Sequence, residues 1–146
     1  GPHDKFDLKK GLVFAATVVK VDKEEEVISV WGSGEEERDL LYVSDLVECI
    51  NCVLDKQDSY YELINVGTGK SHSITNLVKN IISLSGKNLT IKYDETKPSI
   101  KTKLAVNITK AKKLFGWSPR VSLNEGILKT LEWYAAQNKG EDNGVL

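Results

Sequence analysis

A five-residue run, Val27 to Trp31, met at once by Gly32-Ser33-Gly34, most constrains what this chain can fold into. Val27, Ile28, Val30 and Trp31 are β-branched or aromatic, the composition of a strand. Two glycines one residue apart then supply turn conformations that other residues adopt only with strain. After an acidic patch, Arg38 stands directly before a second apolar run, Leu40-Leu41-Tyr42-Val43. Ser44 or Asp45 can cap the helix that starts there, with Glu48 three residues after Asp45 in a capping-box arrangement. A lone arginine thus sits at the mouth of a turn, between a strand and a helix.

Arginine's rigid fork of donors suits a pair of diphosphate oxygens better than the point charge of lysine. The chain has only two arginines against eighteen lysines, so its use here is a choice. From spacing alone the plainer reading is that Arg38 neutralises Glu35, Glu36 and Glu37.

Around this stretch the pattern alternates. Residues 12–23 are densely apolar and predict a buried helix, and 44–56 predict another. YYELINV at 60–66 reads as a buried strand stopped by Gly67-Thr68-Gly69. Ser73 or Ser71 caps a helix whose apolar positions Ile74, Leu77, Val78, Ile81, Ile82 and Leu84 fall at helical spacing, ended by Gly86. Leu89, Ile91 and Tyr93 alternate as in a short strand, and a polar loop surrounds Lys97-Pro98. Leu104-Ala105-Val106 reads as a brief extended piece. Thr109 to Phe115 form a short helix ended by Gly116, and Leu123 to Gln137 a last one capped by Asn124 or Ser122. The tail 138–146 is expected to be disordered.

The expected fold is α/β, a few short strands packed by four or five helices, with one domain over 1–137. At 146 residues and a net charge of −1 there is no electrostatic argument for nucleic acid or a membrane surface. No apolar run has the length of a membrane-spanning helix and no signal-peptide core opens the chain, so cytoplasm is the expected location. Cys49 and Cys52 are spaced C-x-x-C, but inside a helical run and a turn from its start. A structural zinc site wants four ligands, and only His3 and His72 could complete one, from distant segments. The pair reads as small helix hydrophobes, and no metal is expected.

Three motifs fail on inspection. GTGKS at 67–71 lacks the glycine that a phosphate loop needs five positions before Gly69; Ile64 stands there. Neither glycine pair has the third glycine of a dinucleotide-binding turn, since Glu37 and His72 occupy those places. Tyr93 and Lys97 spell Y-x-x-x-K, which works in proton transfer only one helical turn apart on one face. Here Tyr93 ends a strand and Pro98 disfavours helix at Lys97. No catalytic and no cofactor-binding residue is assigned.

VWGSGxxxRDLLYVSDL resembles a segment in the C-terminal half of the extended short-chain dehydrogenases/reductases, the NAD-dependent nucleotide-sugar epimerases and dehydratases. GPHDKFD at the start, then INVGTG, TKP, LFGWSP and SLNEGILKTLEWY, resemble that family's later segments in the right order. Gly1-Pro2-His3 fits the family's sequence without a break and equally fits a cloning remnant.

The resemblance implies that Trp31, Arg38 and Lys97 hold a nucleoside diphosphate. Trp31 would lie near the base or ribose, Arg38 on the diphosphate, and Lys97 on the loop closing over the ligand. Lys20 matches a basic position at the end of the substrate-side helix. The plainer alternatives are a core aromatic for Trp31 and a solvated charge for Lys97. The family binds NAD or NADP through an N-terminal glycine-rich half and moves protons with a tyrosine–lysine pair; neither is in these residues. The chain is thus expected to be the substrate-binding portion of a longer enzyme and inactive alone. Its partners would be a nucleotide-diphosphate sugar and a missing N-terminal Rossmann half, and no cofactor is expected for these residues by themselves. The N-terminal segment is most similar to the GDP-fucose synthases, which carry a catalytic histidine where this chain has Leu12. Ser99-Ile100 replaces the usual Asp-Gly, and Asn107 replaces a common aspartate. The alternative is a stand-alone, non-enzymatic nucleotide-sugar-binding or assembly module. Strands severed from a parallel sheet would expose edges and favour self-association.

Overall fold

The computed structural model describes residues 1–97 and 102–141. Ten residues into the chain a tight N-terminal segment gives way to helix α1, Val13–Lys23. Its start has no side-chain cap, but Thr17 Oγ1 donates to the Val13 carbonyl at 2.6 Å. Lys20 and Lys23 in the last turn suit the negative end of the helix dipole. Strand β1 follows over Val27–Trp31, burying Ile28 and Val30 and leaving Val27, Ser29 and Trp31 outward.

Gly32 and Gly34 both take left-handed φ, 71° and 72°. At Gly34 a Cβ would meet Tyr93 Cε1 at 2.8 Å and overlap Thr75 Oγ1, so glycine is required by space as well as by φ. The turn delivers strand β2, Glu37–Arg38, and then helix α2, Val43–Lys56. α2 begins at Val43 after Tyr42, with no side-chain cap. Asp45 does not serve as the expected cap. Its Oδ2 accepts the amides of Arg120 and Val121 at 3.1 and 3.0 Å, tying α2 to a segment far along the chain.

Residues 60–66 form no strand. Their exposure alternates, with Ile64 and Val66 turned inward and Tyr60, Tyr61 and Leu63 outward, as in an extended chain. A strand exists only where a neighbour takes its amides and carbonyls, and no described segment pairs with it in a sheet.

Strand β3, His72–Ser73, pairs antiparallel with β2, setting Arg38 opposite His72. Ser73 then caps helix α3, Ile74–Ser85, by accepting the Asn76 amide, and Gly86 closes it at φ 75°. Strand β4, Thr90–Asp94, runs parallel to β1 with Ile28 opposite Ile91 and Trp31 opposite Asp94. Helix α4, Thr109–Phe115, ends on left-handed Gly116, and α5 spans Leu123–Glu141. α5 thus runs past Gln137, where the sequence had placed its end; residues 142–146 lie outside the described residues.

The core is a layer of α1, α3 and α5 over the β1/β4 pair, built from Val18, Val21, Ile28, Leu77, Ile81 and Ile127. A second cluster joins Cys49 of α2 to Ala111, Phe115 and Trp117. Trp117, 2% exposed, donates its indole N–H to the Asp45 carbonyl at 3.0 Å. Cys49 is buried, Cys52 partly so, and both are free thiols. Among the described residues no helix is long and apolar enough to cross a membrane, and no three His, Cys, Asp or Glu side chains are placed to hold a metal.

Candidate functional site

The loop that carries Arg38 is pinned from three sides. Gly34 and Glu36 present their carbonyls to the amides of Thr75 and Ile74, at 3.0 and 2.9 Å, fastening it to the start of α3. On the far side residues 102–104 run beside β2. The Glu37 amide donates to the Thr102 carbonyl at 2.9 Å, and the Leu104 amide to the Glu37 carbonyl at 3.2 Å. From below, the Asp39 carboxylate gathers the amides of Thr68, Gly69 and Val106 at 2.8, 2.9 and 3.3 Å, plus the Thr68 hydroxyl at 2.5 Å. Burial pushes the Asp39 carboxyl up, but these donated bonds outweigh it and hold it below the ordinary carboxylate value.

Arg38 is not used to neutralise the neighbouring glutamates. Its Nη1 donates to Thr102 Oγ1 at 2.8 Å and to the Glu37 carbonyl at 3.0 Å. Glu37 is satisfied elsewhere: Ser71 Oγ donates to its carboxylate, and Lys103 pairs with it at 3.1 Å. The Ser71 bond first and Lys103 second hold the Glu37 carboxyl below its ordinary value. Arg38 lines a cavity of about 480 Å³ together with Leu12, Leu40, Tyr42, Gly126 and Thr130. Leu12, the position at which the resemblance puts a histidine in the GDP-fucose synthases, is therefore in the same cavity as Arg38.

Trp31 lies at the end of β1 with 56% of its surface exposed, so it is no core aromatic. The Lys97 ammonium sits over its ring, 5.8 Å from the centroid. Lys97 and Thr102 flank the residues of this loop that lie outside the description, Ser99 and Ile100 among them. Lys97 meets Trp31 and Thr102 meets Arg38, but neither Trp31 nor Lys97 lines the cavity that Arg38 lines. Lys20 is apart from this group. It donates to the Ser29 carbonyl at 2.8 Å, and burial lowers its pKa.

Tyr93 and Lys97 do not form a proton-transfer pair, since Tyr93 is in β4 and Lys97 in the turn beyond it. The Tyr93 hydroxyl is instead bonded to Thr75 Oγ1 at 3.0 Å. Thr102 and Asp39 escaped sequence reading. Neither carries a local signal, because each acts on a partner brought near only by the fold.

Comparison with known proteins gives the site a context. Residues 5–130 match the GDP-mannose 4,6 dehydratase family. The chain is 30% identical over 146 residues to GDP-L-colitose synthase of Yersinia pseudotuberculosis, covering 97% of this chain and 47% of that one. It is 34% identical over 142 residues to GDP-L-fucose synthase 1 of Arabidopsis thaliana, covering 92% and 42%. The chain therefore spans less than half the length of these curated relatives. Among solved structures, UDP-glucose 4-epimerase of Thermotoga maritima, determined with UDP-glucose, superposes with a TM-score of 0.77 at 31% identity, covering 88% of this chain and 41% of that one. The fold is also that of UDP-N-acetylglucosamine 4-epimerase of Methanobrevibacter ruminantium, with a TM-score of 0.80 at 24% identity over 94% of this chain and 43% of that one.

Proposed function

The chain belongs to the GDP-mannose 4,6 dehydratase family of extended short-chain dehydrogenases/reductases, and from that premise we propose that it is the nucleotide-diphosphate-sugar-binding portion of an NAD(P)-dependent epimerase, dehydratase or reductase. The observation that carries this reading is Arg38, held by Thr102 and lining a 480 Å³ cavity, with the exposed Trp31 under Lys97 as a separate contact outside that lining. An exposed aromatic, a lysine and a forked guanidinium offer a face for a base or ribose and two cations for a diphosphate. Lys20 is the weakest member of this set, since its ammonium already serves Ser29.

In this reading, chemistry is supplied by NAD or NADP held on a Rossmann half, and these residues orient the sugar against it. Leu12 cannot transfer a proton, so epimerisation of the kind that uses a histidine there is set aside. The surface toward the other half is the outer stripe of α2, where Val43, Leu46, Val47, Ile50 and Leu54 are exposed at helical spacing. It continues into the extended residues 60–63. A helix followed by an extended segment is a natural half of a βαβ unit, whose other strand would give residues 60–66 their hydrogen-bond partners.

The test is Arg38→Ala in the protein joined to its Rossmann half, scored by nucleotide-diphosphate-sugar affinity. A loss of roughly tenfold or more, the worth of a charge-assisted contact, is expected with folding retained. Unchanged affinity would remove Arg38 from the site.

A further inference from the structure

A second cavity, of about 440 Å³, lies beside the first and is lined by Lys70, His72 and Arg120 with no aspartate or glutamate. Thr68, Asn80 and Asn124 add hydroxyl and amide groups to its wall. In a chain of net charge −1, Lys70 and Arg120 bring two cations to one cavity. It is not internally balanced. Lys70 and Arg120 bond through their backbone amides, to Thr68 Oγ1 and Asp45 Oδ2. Among the described residues their charged ends have no hydrogen-bond or ion-pair partner.

The carboxylates nearby keep their charge but accept from other donors than the Lys70 and Arg120 side chains. Asp39 takes the amides of Thr68, Gly69 and Val106, Asp45 those of Arg120 and Val121, and Glu37 is held by Ser71 and Lys103. The wall itself is fixed, because Asn80 Nδ2 donates to Asn124 Oδ1 at 3.1 Å and joins α3 to the first turn of α5. Gathering cations around a rigid polar concavity without a carboxylate favours one class of occupant, an anion with several acceptor oxygens.

We propose that this cavity binds a small oxyanion of the phosphate type, with Arg120 as the forked donor and Lys70 as the point charge. The cavity shares Leu40, Val121, Ser122 and Leu123 with the one proposed for the nucleotide, but its cations are different. Arg38 does not line it, although His72 stands opposite Arg38 across the β2–β3 pair. The inference does not require the nucleotide-sugar reading to hold. The anion can be free phosphate or the phosphate group of a larger molecule, which share this chemistry.

The test is an amide NMR titration of the 146-residue chain with inorganic phosphate and, separately, with glycerol phosphate, at fixed ionic strength against chloride. Saturable shifts are expected at Lys70, His72 and Arg120. Saturation by inorganic phosphate supports a free-anion site, and saturation by the monoester alone supports the phosphate of a larger ligand. Lys70→Gln and Arg120→Gln should each weaken binding roughly tenfold, while Arg38→Gln leaves it unchanged. Both lining variants change exposed side chains, so their spectra should otherwise match the parent. No saturable shift, shifts reproduced by chloride, full affinity in both lining variants, or loss on Arg38→Gln would each overturn the proposal. Nucleotide-sugar affinity that survives Lys70→Gln and Arg120→Gln separates this site from the one at Arg38.

Discussion

Arg38 and Thr102, 64 residues apart in sequence, are joined by a 2.8 Å hydrogen bond from the guanidinium to the threonine hydroxyl. The bond has a directional consequence. A guanidinium has five donors on a flexible stem; Thr102 takes one of them, and Arg38 lines the cavity. The residue proposed to meet the diphosphate is thus oriented by the loop proposed to cover it.

Thr102→Val should therefore weaken nucleotide-diphosphate-sugar binding by about 1–2 kcal/mol, the worth of one charge-assisted bond. Thr102 is exposed, so the midpoint of thermal unfolding should hardly move. Parallel isothermal titration and thermal melts of the variant read both quantities. A stability loss with unaltered affinity would make the bond merely structural.

Trp31 offers a spectroscopic reporter. It is 56% exposed while Trp117 is 2% exposed, so acrylamide should quench Trp31 strongly and Trp117 hardly at all. Bound nucleotide diphosphate should protect the exposed component, and Trp31→Phe should abolish that protection. Protection that persists in the variant would place the ligand away from β1.

Asp39 should contribute to an acid limb of stability. Its folded pKa lies below the ordinary value of 3.8, so its contribution is fully present above that value and is lost as pH falls through the depressed folded pKa. Asp39→Asn places an amide group against backbone donors and should cost about 1–3 kcal/mol at neutral pH. It should also flatten the acid limb of the unfolding midpoint below about pH 4. Urea melts across that range check both, and an acid limb identical to the parent's would exclude Asp39 as its source.

Asp45, 4% exposed, holds the Arg120 and Val121 amides. Asp45→Ala leaves two donors without their acceptor and should destabilise the chain by about 2–4 kcal/mol. Ser44→Ala should be nearly neutral, because no side chain caps α2. Equal effects from the two substitutions would contradict this division of roles.

Sequence read well wherever the decisive interaction was local. β1, the Ser73 cap and Gly86 stop of α3, and Gly116 after α4 all depend on residues within a few positions. It misled where the deciding partner was remote. Asp45 has the residue type and place of a helix cap, yet its acceptor oxygen is claimed by amides 75 and 76 residues away. YYELINV has strand composition, but pairing is a property of two segments, and among the described residues the second is not there. α5 continued to Glu141 because no strong breaker follows Gln137; Gly140 alone did not stop it. At the site, the resemblance put Trp31 and Lys97 each on a nucleotide; the contact between the two was not legible and is a finding of the structure. The supporting residues Thr102 and Asp39 were not legible either.

The most direct measurement is calorimetric titration of the 146-residue chain with UDP-, GDP- and dTDP-sugars, with free NAD as the comparison. The account predicts saturable heat with one class of nucleotide-diphosphate sugar, reduced by Arg38→Ala, and none with NAD. Saturable binding of NAD, or nucleotide-sugar binding that Arg38→Ala leaves intact, would contradict it.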